Sequence, residues 1–473
     1  MSLWQFKPVL SSFLQHADLP FAEALPEEAI TQAFHLAGVP TKPSAPQDEK
    51  IVYTPAVTLW AFLSQVLFKD ELRSCLAATA RVVVLMIALG RNCSDNSGAY
   101  CRARGRLPLM VIQILTLQTA DNCETLVPKD WLWKGRHVHL VDGTTASMPD
   151  TPENQGAFPQ PPTQEPGLGF PIIRMVVALS LATAMVTAMN LGRYEGKETG
   201  ETALLRHMLD RFKPGDILLA DRYMCSYFMI ALLQELRLDF VVRLHQARHS
   251  DLRRGRRLGP GDYLVVWHRP QRPEWMDQAT YERMPETIRV RQVQVQVQEP
   301  GSRVETLDVI TTLLDADTYS KDDVAELYHQ RWLVELDLRT LKVTLGMDVL
   351  RCLTPDMVRK EIWTCMLAHN LIRKSMLEAA LATKKKKKCS PRELSFTAAL
   401  QKIAASWSTL TVCSTEQAVV LIAVHLEHLA AHRVGDRPNR VEPRANKRRP
   451  KVLKLLTKPR QEARAELLAG IAE

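Results

Sequence analysis

Tyr328-His-Gln-Arg331-Trp-Leu-Val-Glu335-Leu-Asp-Leu-Arg339-Thr-Leu-Lys342 is the stretch that decides how this chain reads. Wound as a helix at roughly 100° per residue, it brings Arg331, Glu335, Arg339 and Lys342 onto the narrow face that begins at Tyr328. Leu327, Val334, Leu338, Leu341 and Leu345 fall on an adjacent face and read as its buried side. Cations around one carboxylate on an anchored helix suit a phosphodiester. The bland alternative is a solvated helix whose Arg and Glu pairs contribute only a few tenths of a kcal/mol.

With 473 residues and 46% hydrophobic content, the chain can build two or three domains. Its formal net charge of +9 points to a polyanionic partner, nucleic acid before membrane. From Ala431 to Glu473 there are 12 Lys and Arg against 5 Asp and Glu, so 12 − 5 = +7 of the excess lies in the C-terminal tail. The nine cysteines show neither C-x-x-C pairs nor a Cys/His ligand rhythm and read as reduced thiols of a cytoplasmic protein. No signal peptide is evident at the start. The longest uncharged apolar run, Met175 to Leu191, is slightly short of the roughly 20 residues of a membrane helix, and its Val and Thr content suits buried strands.

Helical patterns such as Ala56 to Leu67 and Leu72 to Leu89 mark residues 1–130 as a mainly helical N-terminal domain. From His137 the texture becomes short apolar runs: His137 to Val141, Met175 to Leu181, Met185 to Leu191, Ile217 to Ala220 and Phe240 to Leu244. Helical patterns lie between the later runs, so residues 131–375 read as an α/β core. Asp150 to Gly169, dense in Pro, Gln and Gly, is expected to form no regular element and to loop beside the site. Gln292-Val-Gln-Val-Gln-Val-Gln298 is a period-two strand, followed by the apolar run Leu307 to Leu314. Helical sequence resumes from Pro355 to Leu381, and residues 376–473 form a helical and basic C-terminal region. Lys384 to Lys388 reads first as a solvated linker.

A phosphoryl-transfer site that uses divalent metal needs carboxylates converging from distant segments. Asp142 follows the run His137 to Val141 and stands at its strand terminus; Asp221 follows Ile217 to Ala220; Glu335 sits on the anchored helix. Each has a plain alternative: Asp142-Gly143 as a turn pair, Asp221 as a helix cap, Glu335 as a partner of Arg331 or Arg339.

Together these motifs resemble those of a large family of bacterial insertion-sequence transposases of the DDE class. The shared features are Asp142-Gly-Thr-Thr after a first strand, Ala220-Asp-Arg-Tyr after a later one, and the spacing Y-x2-R-x3-E-x6-K from Tyr328 to Lys342. The likeness covers about His137 to Arg373 and extends weakly into the basic tail. It implies a ribonuclease H-like catalytic core with a β-rich insertion before the catalytic glutamate, matched here by about residues 246–301, flanked by helical N- and C-terminal regions. It also implies that Asp142, Asp221 and Glu335 hold two Mg²⁺ ions, or Mn²⁺ in their place. Such a pair, roughly 3.5–4 Å apart, serves in-line displacement at DNA phosphates.

By the same resemblance, Tyr328, Arg331 and Lys342 contact phosphates near the element end. Arg339 shares their face outside the signature, with DNA contact and plain solvation equally open. The implied partners are double-stranded DNA, both the terminal inverted repeats and the target, and a second copy of the chain. The N-terminal domain reads the repeats, and Ala418 to Ala431 either pairs two copies or packs on its own domain. Relatives that form a DNA hairpin stack a flipped base on a tryptophan in the strand before the signature helix. Leu307 to Leu314 has none, and Trp267, Trp275 and Trp332 read as core or loop aromatics. The expected activity is cleavage of the DNA and joining to a target, in a protein of the bacterial nucleoid. The alternatives are a nuclease of the same fold that does not join strands and a transposase-derived DNA-binding protein without catalysis.

Overall fold

The computed structural model describes residues 27–39, 52–88, 90–248, 252–297, 305–383, 389–410, 415–435 and 455–469. The lysine run 384–388 and the tail motifs between residues 436 and 454 lie outside them. The chain opens with helices α1 (Glu27–Leu36), α2 (Pro55–Leu67), α3 (Cys75–Ala88), α4 (Ser97–Arg106) and α5 (Leu109–Glu124). Local chemistry sets their limits. Thr54 accepts a hydrogen bond from Val57 N at 3.3 Å and Pro55 supplies the first turn, so α2 starts where its sequence dictates.

Strand β1 (Val138–Ser147) follows, then short α6 (Pro152–Ala157), β2 (Ile172–Ser180), β3 (Val186–Arg193), α7 (Glu201–Arg206), β4 (Ile217–Ala220), α8 (Tyr227–Glu235) and β5 (Asp239–Arg243). The stretch Asp150 to Gly169, expected to be wholly irregular, thus holds one helix. Thr151 caps it by accepting from Asn154 N at 3.2 Å, and Pro152 fits its first turn. Next come β6 (Arg256–Gly259), β7 (Asp262–His268), α9 (Gln278–Arg283), β8 (Thr287–Val297) and β9 (Glu305–Thr311). These are followed by α10 (Lys321–His329), α11 (Leu333–Arg339), α12 (Pro355–Ala382), α13 (Phe396–Leu410), α14 (Thr415–Ala431) and α15 (Arg460–Ala469).

The nine strands of the described residues form one sheet in the order β3-β2-β1-β4-β5-β9-β8-β7-β6. Strands β1 to β3 are an antiparallel meander, while β4 runs parallel to β1 and β5 parallel to β4. This is the ribonuclease H-like arrangement, and the expected insertion continues the same sheet beyond β9 as antiparallel β8, β7 and β6. Each face has its own core. Leu140, Val177, Ile217, Leu219 and Val241 point to the side covered by the N-terminal helices, α11 and α12. Val141, Val176, Ala178, Leu218 and Ala220 point to the other, covered by α7 and α8. Strands buried on both faces read as continuous apolar runs, which is why they are legible without alternation.

Helix α12 is the central strut. It packs against α2, α5, α13 and α14. Asn370 pins it to the sheet, its amide oxygen accepting from Val186 N at 2.8 Å and its amide nitrogen donating to Val186 O and Thr116 O at 3.0 Å. Buried Asp337 ties α11 to this frame. It accepts from Arg373 Nη2 at 3.2 Å and Arg392 Nη2 at 2.9 Å. Arg392 also donates to the carbonyls of Ser180 and Leu181 at the end of β2.

Arg73, 4% exposed, ties the N-terminal helices to the same region by donating to Leu345 O at 3.0 Å, Gly346 O at 2.9 Å and Glu361 Oε1 at 3.1 Å. Removing one partner of a buried charge cluster leaves the others uncompensated. Asp337→Ala should therefore cost about 3–5 kcal/mol. Urea unfolding will show it as a lowered midpoint, and an unchanged midpoint would mean that the two arginines find other partners.

Candidate active site

Asp142 and Asp221 come together through strand register. In the parallel β1–β4 pair Val141 lies opposite Ala220, so the next residue on each chain is one of the two aspartates. Neighbouring strands run roughly 4.8 Å apart. Side chains alternate, and Leu140 and Leu219 face the α11 side, so Asp142 and Asp221 face it too. The expectation that Asp142 ends its strand is corrected. Strand β1 runs on to Ser147 and pairs with β2 throughout, while β4 stops at Ala220. The aspartates mark the end of the parallel pairing, not the end of β1. Gly143 is therefore mid-strand and not half of a turn pair. Asp221 precedes a 3-10 turn over Arg222–Met224, yet its side chain makes no capping bond there.

The signature segment is helical throughout but not uniformly wound. Helix α10 tightens into a 3-10 turn at Gln330–Trp332, resumes as α11, and widens into a π turn over Thr340–Thr344. Leu327, Val334, Leu338, Leu341 and Leu345 form the buried side as expected. Glu335 is 62% exposed in its side chain and accepts from Arg331 Nη2 at 2.8 Å. The Nη1 of the same guanidinium stands 4.0 Å from Asp142 Oδ2. Arg331 thus bridges from the helix to β1. Tyr328 is only 5% exposed, Arg339 is exposed and Lys342 half-buried. The change of pitch means that Lys342 does not keep the simple phase a uniform α-helix would give it. Of the tryptophans, Trp267 is in the core and Trp275 stacks under Arg206 at 3.6 Å, whereas Trp332 is 44% exposed on the 3-10 turn.

These groups share one electrostatic field. Burial pushes the Asp142 carboxyl up to about 6, helped by the charges of Glu201 and Asp221 and opposed by the Gly143 N–H and Arg331. Burial likewise raises the Tyr328 phenol to about 12, against the pull of Arg331 and with the push of Asp221.

Glu201 is the residue that sequence reasoning missed. At the start of α7, its carboxylate lies against Gly143, where an added Cβ would meet its Oε1 at 2.1 Å. Burial raises this carboxyl as well, with Asp221 adding to the effect and Arg174 opposing it. Nothing in the spacing from Gly143 to Glu201 signals the meeting. Only the fold of β2 and β3 between them creates it.

Carboxylates alone suit a hard divalent cation. Among the described residues no group of three His, Cys, Asp or Glu is placed to hold an ion. The guanidinium of Arg331 is the cation standing between Asp142 and Glu335. In donor chemistry alone, an all-oxygen set beside a residue without a side chain matches a hard divalent cation. Among the described residues, no helix is long and apolar enough to cross a membrane.

Residues 133–371 match the family model described as the transposase DDE domain. A relative in Escherichia coli (strain K12), transposase InsG for insertion sequence element IS4, is 27% identical over 293 residues, which cover 60% of this chain and 61% of that protein. The transposase for insertion sequence element IS421 of Escherichia coli is 35% identical over 82 residues, 17% of this chain and 21% of the relative. Among solved structures, the piggyBac transposase synaptic complex with hairpin DNA aligns over 89% of this chain and 82% of that chain, with a TM-score of 0.39 and 10% identity. The family match takes in Asp142, Asp221, the sheet that places them and the whole signature segment, so the chain belongs to the transposase DDE domain family.

Proposed function

We propose that this protein is a DNA transposase that cuts the ends of a mobile element and joins them to target DNA. The observation that carries the reading is the convergence of Asp142 and Asp221 at the end of one strand pair, with Glu335 linked to Asp142 through Arg331. In this reading Asp142, Asp221 and Glu335 hold two divalent ions, Mg²⁺ or Mn²⁺. Bound there, the ions supply charge stabilisation to the attacking and leaving oxygens of an in-line displacement at phosphorus.

The remaining work falls to the chain itself. Arg331 offers a planar fork to a phosphate, and Lys342 and Arg339 offer further positive charge along the same helix. A phosphate that draws Arg331 away from Glu335 frees that carboxylate, so entry of DNA and readiness of the acids are linked through one side chain. For each transferred strand two chemical steps suffice without a covalent protein intermediate. Water attacks the phosphodiester at the element end, leaving a 3′ hydroxyl and a 5′ phosphate, and that hydroxyl then attacks a target phosphodiester and displaces the target's own 3′ oxygen. The N-terminal helices are assigned to the terminal repeats, and a second copy of the chain to the second end. The exposed Val420, Leu421 and Val424 on α14 leave an apolar face available for such pairing.

With DNA carrying the element ends and Mg²⁺, Glu335→Gln should lower strand transfer by about a hundredfold or more, the loss of several kcal/mol of transition-state stabilisation. Joined products at the wild-type level would overturn the assignment. Cleaved ends that are never joined, in the wild type, would make the protein a nuclease instead.

A second expectation concerns pH. The Asp142 carboxyl sits at about 6 in the folded chain against an ordinary 3.8. The folded state therefore binds this proton more tightly than the unfolded one. The stability that the proton contributes is complete below about pH 4 and is lost as pH rises to about 6. Asp142→Asn should match the wild type near pH 4 and exceed it by up to about 3 kcal/mol above pH 6, as (6 − 3.8) × 1.36 gives. Urea unfolding from pH 4 to 8 checks this, and a gap that does not change with pH would contradict it.

A further inference from the structure

Strand β4 ends at Ala220, but β1 continues to Ser147. Among the described residues, the β4-side edge of β1 has no strand partner from Asp142 to its isolated bridge between Ser147 and Val349, which leaves a notch in the sheet at residues 142–144. Asp142 and Asp221 border this notch from the α11 side of the sheet. Position 143 alternates to the other side, the side that α7 covers through Leu204 and Leu205. Glu201, the first residue of α7, reaches the notch from there. It can come so near because position 143 has no side chain: a Cβ would lie 2.1 Å from Glu201 Oε1 and 2.2 Å from its carboxyl carbon. The Glu201 side chain is half-buried, and the Coulombic influences on it are Arg174 and Asp221. Glu201 raises Asp142 and is itself raised by Asp221, so the acids act on one another through space, and a divalent cation between Glu201 and Asp142 would offset that repulsion.

We propose that Glu201 is a fourth carboxylate of the metal centre, holding a divalent ion together with Asp142 across the glycine at position 143. The proposal rests on the reading of Asp142, Asp221 and Glu335 as metal-holding acids and adds one residue to them. It gives Gly143 a definite purpose, since any side chain there would push Glu201 out of the notch. A purely structural Glu201, filling space beside β1, has a different signature. Glutamine has the same shape and would serve equally well.

The test uses the full chain and Mn²⁺ alone, with affinity read from the electron paramagnetic resonance signal of free Mn²⁺ in the absence of DNA. Glu201→Gln should weaken binding at least about tenfold without lowering the thermal unfolding temperature. Gly143→Ala, which keeps every acid but displaces the flexible end of Glu201, should weaken it similarly. Asp142→Asn serves as the reference. Wild-type affinity in Glu201→Gln alongside a loss in Asp142→Asn overturns the proposal and leaves the three-acid reading standing. Equal affinity in all three variants, or no binding by the wild type, overturns both. A second readout is iron-directed cleavage of the polypeptide by Fe²⁺, ascorbate and peroxide. Cuts near residue 201 as well as near 142–144 and 221 are expected, and their absence at 201 alone would remove Glu201 from the centre.

Discussion

The buried carboxylate of Asp337 between Arg373 and Arg392 fixes the roll of the signature helix, and the rest of the site depends on that roll. A helix held only by leucines can rotate slightly at little cost, because apolar contacts are not directional. Two charge-assisted bonds from different segments allow far less freedom. Arg373 belongs to α12, while Arg392 is also bonded to the end of β2, so one side chain sets α11 against both the central strut and the sheet. Two residues earlier in the chain, Glu335 is thereby turned outward toward Arg331. The cost of burying three charges serves placement more than stability.

Charge in the site is distributed with similar economy. Arg331 neutralises Glu335 directly and stands within Coulombic reach of Asp142. Without it, the acids would repel one another in a partly desolvated cleft. An arginine suits this position because its charge persists at any accessible pH and because its fork can exchange one oxygen pair for another. The same group that balances the acids is thus chemically equipped to bind a phosphate. The half-buried and exposed cations that follow it, Lys342 and Arg339, extend positive charge along the segment.

Much of this was legible in the sequence, and what was not has identifiable causes. The runs around Val141 and Ala220 declared themselves as strands because both faces of the sheet are covered, and Asp142 and Asp221 followed from their ends. The Gln and Val alternation of β8 was equally clear. The exact end of β1 was not, because strand length here is set by which neighbour continues: β2 runs on where β4 stops. The π turn at Thr340–Thr344 was not legible, since it cannot be told from an α turn by apolar spacing when Leu341 and Leu345 are buried either way. Nothing in the segment itself marks Asp337 for burial. Its burial depends on two arginines from beyond the segment. Glu201 was invisible for a related reason, as its meeting with Gly143 is made by two strands and a crossover rather than by local spacing.

The grip of Arg73 on the carbonyls of Leu345 and Gly346 carries one last consequence. A module that merely tethered the chain to DNA could hang from a flexible linker and loosen without harm. Here the N-terminal helices close the far end of the signature segment, and their apolar residues belong to the same core as α11 and α12. Fraying of the N-terminal helices therefore strips the signature helix of its terminal restraint. Limited proteolysis or amide exchange in the two regions should accordingly rise and fall together, as parts of one cooperative unit.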